Sequence, residues 1–202
     1  MENKRVEFHI ITDGLHSVEE IVNKVSLLAP YVDYIHLREK RKTAAELYKI
    51  INLLLDCGVP SSKIIVNDRV DVAKATNAAG VQLAYHSLDV PVVKKTYPEI
   101  RIGKSIHSLK EAKEAENEGA DYLLFGHIYT STCKPGKQPR GLLELAKIIE
   151  QVTVPVIVIG GIQPYHVKEI LATGASGFAV MSGVFSSSNP VESVKAYQQQ
   201  EL

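Results

Sequence analysis

A strand-then-helix unit of roughly 25 residues recurs eight times along this 202-residue chain, and that repetition constrains the fold more than any other feature. The strand segments are Glu7–Thr12, Tyr34–Leu37, Lys63–Val66, Gly80–Leu83, Ile100–Ser105, Asp121–Phe125, Val154–Ile159 and Gly177–Met181. They are short, rich in β-branched and aromatic residues, and bounded by turn residues. Several are nearly unbroken apolar runs, the pattern of strands buried on both faces. Amphipathic helices lie between them. Ser17 with Glu20, Thr43 with Glu46 and Ser108 with Glu111 have the spacing of N-terminal caps, and Gly58, Gly119 and Gly174 act as stops. Further helices are expected over Asp68 to Asn77, from Asp89, over Leu142 to Gln151, Pro164 to Thr173 and Pro190 to Gln199. The expected fold is α/β, a (β/α)8 TIM barrel, with residues 1–202 as a single domain. An open doubly wound sheet is the alternative, and the even repeat favours closure.

Composition narrows the function. Lys plus Arg and Asp plus Glu each total 23, so the formal charge is zero. That balance, with no helix-turn-helix pattern, argues against nucleic acid as a partner. Two cysteines, Cys57 and Cys133, make no disulfide framework. The start of the chain has no signal-like apolar stretch, and no run approaches a membrane span. A cytoplasmic protein without membrane partners is expected, with a homo-oligomer left open.

In a barrel the chemistry sits at the carboxyl ends of the strands. Those ends deliver Thr12 and Asp13, then His36, Arg38, Glu39 and Lys40, then Asn67, Asp68 and Arg69. Tyr85 and His86, Ser105 and His107, Gly126 and His127, Gly160 and Gly161, and Met181, Ser182 and Gly183 follow. Glycines after the seventh and eighth strands let an anion approach backbone N–H groups, so a phosphate is expected there; a plain tight turn is the competing explanation. Arg38 and Lys40 alternate and so share a side, where they can bind carboxylate or phosphate. The loop from Tyr129 to Gly141 is long and basic, and Lys134 is its best-placed cation. His127 follows an apolar strand and suits proton transfer near neutrality. Asp68 is expected to cap the next helix rather than hold a metal. His9, His16 and His166 receive no role, and Cys133 has no adjacent base.

Taken in order, Ile11-Thr12-Asp13, Leu37-Arg38-Glu39-Lys40, Val66 to Ala73, Gly80 to Leu83, Ile102 to Ser108, Gly126 to Tyr129 with Lys134, Gly160-Gly161-Ile162 and Val180 to Val184 resemble the thiamine phosphate synthase superfamily over nearly the whole chain. The resemblance implies the same barrel. Synthases join a pyrimidine pyrophosphate to thiazole phosphate using Mg²⁺, held by the Asp matching Asp68 and by a second Asp after the fourth strand. Ser87 stands at that second position, His36 replaces a motif Gln, and Gly126-His127 replaces Gly-Pro.

Those departures resemble the TenI-type thiazole tautomerase. The implied activity is an isomerase reaction of thiamine biosynthesis: cofactor-free and metal-free aromatisation of a carboxythiazole phosphate tautomer. His127 would be the catalytic proton shuttle. Arg38, Lys40, Asn67, Ser105, Lys134, Gly160, Gly161, Met181 and Ser182 would bind this small-molecule thiazole phosphate carboxylate. A Mg²⁺-dependent synthase and a non-catalytic thiazole-phosphate-binding regulator are the alternatives.

Overall fold

The capping signals act as their spacing predicts. Ser17 Oγ accepts the Glu20 N–H while the Glu20 carboxylate accepts the Ser17 N–H, and Thr43 with Glu46 does the same. The helices opened there are α1 (Val18–Leu28) and α2 (Ala44–Asp56). Each turns an apolar face inward: Ile21, Val22, Val25 and Leu28 on the first, Leu47, Ile50, Ile51 and Leu54 on the second. A fully buried aliphatic side chain of this kind contributes about 1.5–3 kcal/mol.

The computed structural model describes residues 5–131, 136 and 138–200. Its strands are β1 (Glu7–Ile11), β2 (Tyr34–Leu37), β3 (Ile64–Asn67), β4 (Gly80–Leu83), β5 (Arg101–Ile106), β6 (Tyr122–Gly126), β7 (Val156–Ile159) and β8 (Gly177–Val180). All pair in parallel and in sequence order, and β8 closes on β1 through Glu7 opposite Gly177 and Ile10 opposite Val180. The later helices are α3 (Val70–Ala75), α4 (Val90–Thr96), α5 (Leu109–Asn117), α6 (Gly141–Ile149), α7 (Val167–Ala172), α8 (Ser182–Phe185) and α9 (Pro190–Gln198). This is the expected (β/α)8 barrel.

Strand alternation makes two separate cores. Phe8, Ile10, Ile35, Leu37, Ile64, Val66, Leu123, Phe125, Val158 and Phe178 point outward into the helix layer. Ile11, Ile65, Tyr122, Leu124, Ile157 and Ala179 point into the lumen.

Some local expectations fail for clear reasons. The helix expected over Asp68 to Asn77 begins only at Val70, because Asp68 is left-handed (φ 66°) and breaks the turn. No side chain caps α3, so Asp68 is not the cap expected of it. The helix expected from Pro164 starts as a 3₁₀ turn, Pro164–His166, and only then becomes α7. The short α8 directly after β8 has no strong apolar period to mark it in the sequence.

Candidate active site

A cavity of about 740 Å³ opens at the carboxyl ends of the strands. It is lined by Arg38, Lys40, Asn67, Ser105, His127, Gly160, Gly161, Met181 and Ser182, so nine of the expected site residues meet in one place. Lys134 and Cys133 lie outside the described residues.

Each strand end brings its group for a local reason. The backbone N–H of Arg38 donates to Thr12 Oγ1 at 2.9 Å, tying the end of β2 to that of β1. The Arg38 guanidinium then extends over the cavity to within 4.0 Å of Met181 Sδ. Glu39 lies between the two cations, its side chain 1% exposed, and forms an ion pair with Lys42 at 3.0 Å. Among the described residues neither Glu39 oxygen has a well-aligned hydrogen bond. Asp68 projects beside His86, with Nε2 to Oδ2 at 3.8 Å. His127 is buried at the wall and follows a cis peptide bond from Gly126. His86 and His107 also line the cavity. His107 additionally pairs with Glu111 at 3.4 Å.

The glycine pair after β7 is required by packing. Gly161 has φ +68°, and a Cβ there would meet the Thr130 carbonyl oxygen at 2.3 Å. The turn therefore presses on the loop after β6, and its cavity-facing side exposes backbone rather than side chain.

The floor of the cavity rests on a polar column that sequence reasoning passed over. Glu7 receives His9 Nε2–H at 2.9 Å, and His9 Nδ1 faces His36 Nε2 at 2.9 Å. An ionised carboxylate only accepts, so the proton sits on His9 Nε2, and His9 Nδ1 must accept from His36 Nε2–H. His36 in turn engages the Asn67 side chain loosely; among the described residues neither His36 Nδ1 nor Asn67 Oδ1 has a well-aligned partner. Burial holds the His9 pKa below its ordinary value against the pull of Glu7. Burial, with His9 and Arg101 nearby, holds His36 well below. Burial raises Glu7, but hydrogen bonding from His9 and the charge of Arg101 outweigh it and lower its pKa.

Arg101 pairs with Glu7 at 3.0 Å and lies between the rings of Tyr34 and Tyr122, 4.5 and 4.6 Å from their centroids. From there Tyr122 Oη donates to Gln82 Oε1 at 2.7 Å, and Gln82 Nε2 donates to Ser105 Oγ at 3.0 Å. The signal for this column was present in the sequence as polar residues at inward-alternating positions, Glu7 and His9 in register with Ile11.

A family profile for thiamine monophosphate synthase matches residues 8–184. The chain belongs to the thiamine monophosphate synthase family. A thiamine-phosphate synthase of Pyrococcus furiosus is 37% identical over 181 residues, covering 89% of this chain and 87% of that protein. One from Methanococcus maripaludis is 32% identical over 192 residues, covering 95% and 92%. The solved thiamine phosphate pyrophosphorylase of Pyrococcus furiosus superposes with a TM-score of 0.82 at 32% identity, covering 98% and 96%. A 3-hexulose-6-phosphate synthase structure, at 18% identity and a TM-score of 0.76, shares the fold alone.

These relatives overturn the tautomerase expectation, and with it the isomerase class. The expectation rested on three departures, and the geometry weakens the decisive one. Ser87 does not line the cavity; its Oγ accepts the Ala84 N–H at 2.8 Å inside the β4–α4 loop. A missing second acid also does not abolish Mg²⁺ binding, since Mg²⁺ is commonly held by one or two carboxylates plus substrate phosphates.

Among the described residues no cluster of three or more His, Cys, Asp or Glu forms an all-protein metal cage. Asp68 fits the other mode. Its carboxylate is 42% exposed, at the end of β3, among the lining residues of the cavity. Among the described residues no helix is long and apolar enough to cross a membrane.

Proposed function

We propose that this chain is a thiamine-phosphate synthase, a transferase that joins a pyrimidine diphosphate to a thiazole phosphate and releases pyrophosphate. The observation that carries the reading is the family match over residues 8–184, with relatives at 37% and 32% identity that are synthases.

The site supports it in chemical detail. The leaving diphosphate gathers negative charge as the two rings are joined. Arg38 and Lys40 approach the cavity from the end of β2 and offset that charge where it develops. Ser105 and Asn67 meet the diphosphate from the floor. The Gly160–Gly161 turn and the Met181–Ser182 segment offer backbone to the second phosphate, on the thiazole, at the strand ends where barrels commonly hold this group. The buried His127 and the half-buried Met181 form the wall against which the rings are held. Asp68 would hold Mg²⁺ through one carboxylate, with diphosphate oxygens and water completing the shell. When bound, Mg²⁺ neutralises charge on the diphosphate. The synthase reading calls for the metal that the tautomerase expectation did without.

The test is direct synthesis. With a pyrimidine diphosphate, a thiazole phosphate and Mg²⁺, the protein should form thiamine phosphate, and EDTA should stop it. Asn tolerates the left-handed conformation of Asp68, so Asp68→Asn should fold normally and lower kcat roughly a hundredfold. Absence of product from the folded protein overturns the reading.

A further inference from the structure

The Ser105 hydroxyl at the cavity floor has its hydrogen-bond direction set from below. Gln82 Nε2 donates to Ser105 Oγ at 3.0 Å. Ser105 therefore accepts on its buried side. Among the described residues no acceptor takes the Ser105 proton, which is left to point into the cavity.

That direction depends on which way the Gln82 amide faces. Turned over, Gln82 would present oxygen to Ser105, draw the hydroxyl proton downward, and leave the cavity facing lone pairs. Tyr122 decides between the two states. Its ring is fully buried beneath Arg101, and its Oη has one hydrogen-bond acceptor among the described residues, Gln82 Oε1 at 2.7 Å. A flipped Gln82 would set its amide N–H against the Tyr122 hydroxyl and strand the phenolic proton in the lumen. Burial also raises the Tyr122 pKa above the ordinary phenol range, so the proton stays in place.

Gly103 makes this contact sterically feasible. A Cβ there would lie 2.2 Å from Tyr122 Cζ and 2.4 Å from both Tyr122 Oη and Gln82 Oε1. The strand between β4 and β6 thus gives up a side chain where the two groups meet.

We propose that Tyr122, which does not line the cavity, is a positioning residue: through Gln82 it fixes Ser105 as a hydrogen-bond donor, so the floor of the site selects an acceptor-only oxyanion. The chemical class is a phosphate or diphosphate oxygen. The inference rests on the synthase reading, which already sets the diphosphate over the floor, and adds the residue that orients the floor's donor. It is tested by binding rather than turnover, so the two can fail separately.

The experiment is calorimetric titration of inorganic pyrophosphate into the wild-type protein, Ser105→Ala, Tyr122→Phe and the double variant. Ser105→Ala should weaken binding roughly tenfold, the value of one hydrogen bond to a charged group. Tyr122→Phe should weaken it about fivefold, because Gln82 is then free to turn over. In the Ser105→Ala background, Tyr122→Phe should have no further effect, since the relay has lost its last member. Equal losses from Tyr122→Phe with and without Ser105 would make its role merely structural and overturn the proposal. Wild-type affinity in either single variant would do the same. Should Tyr122→Phe fold poorly because Gln82 is left unpaired, Tyr122→Phe with Gln82→Met replaces both partners by apolar groups. That pair should show the same loss, again absent without Ser105. Inorganic phosphate as a second titrant separates the two ligands: a smaller Ser105 effect with phosphate assigns the floor to diphosphate, and an equal effect assigns it to a single phosphoryl group.

Discussion

The barrel lumen has two unlike halves. On β1 to β5 the inward side chains include Glu7, His9, Tyr34, His36, Asn67, Gln82, Arg101 and Ser105, interrupted by Ile11 and Ile65. On β6 to β8, above Tyr122, they are Leu124, Ile157, Ile159, Ala179 and Met181. Both halves fill the same closed sheet, yet they obey different rules. In the apolar half a side chain needs only the right volume, and the binding groups above it are backbone at glycine turns. In the polar half each group needs a partner of the right hydrogen-bond sense, and the binding groups above it are side chains. The apolar half should therefore carry stability that is indifferent to pH, and the polar half should carry the pH dependence.

The largest test of that contrast is Ile157→Ala. Ile157 is fully buried in the lumen, and its truncation leaves a cavity in a wall that cannot collapse. A loss of about 3 kcal/mol, within the 2–5 kcal/mol range of such deletions, is expected in denaturant unfolding. The loss should be the same near neutral pH and near pH ~5. A pH-dependent loss would show that the two halves are coupled.

His9→Gln addresses the polar half. His9 and His36 have folded pKa values below the ordinary 6.5, so each is neutral when folded and takes up a proton when unfolded. The unfolded state then binds more protons once pH falls below about 6.5. Their stabilising effect is complete above that value and lost progressively below it, by up to about 1.4 kcal/mol per pH unit for each histidine. Glu7 has a lowered pKa, so its contribution is lost only further into acid, below its ordinary 4.5. Between those two values the histidines dominate this network. His9→Gln should flatten the fall of stability by one histidine's share, while His166, also lowered by burial, contributes equally to both proteins. Chemical denaturation across that pH range checks it; an unchanged slope would mean that His9 is already protonated in the fold.

The same contrast explains what could be read in the sequence. The barrel was legible because outward strand residues such as Ile10, Ile35 and Val66 and helix faces such as Ile21, Val25 and Leu28 follow simple periods. The cavity lining was legible because strand ends are where polar residues interrupt those periods. The lumen column was not. His9 and Gln82 are single polar residues inside apolar strands, and only closure of the barrel brings His9 to His36 and Gln82 to Tyr122. Subfamily is hidden in the sequence for a related reason. Ser87, His36 and His127 read alike as departures from the synthase pattern, and only the closed barrel shows that His127 lines the cavity while Ser87 and His36 do not.

Ser87 gives the smallest expected effect and the finest test of the contrast, because it is a polar residue on the polar side that does not belong to the site. Its Oγ accepts the Ala84 N–H at 2.8 Å while its own N–H donates to the Ala84 carbonyl, closing a turn in the β4–α4 loop. Ser87→Ala removes one hydrogen bond to a partly exposed backbone group, worth about 1 kcal/mol of stability. Because the hydroxyl is turned into the loop, KM for both substrates and kcat for synthesis should stay within about twofold of wild type. A tenfold or larger rise in the KM of the diphosphate substrate would place Ser87 at the cavity after all. It would also mean that the position of the second acid in the synthase motif still reaches the leaving group through a hydroxyl. Unchanged kinetics with the small stability loss would confine the metal-side chemistry of this barrel to the end of β3, where Asp68 stands.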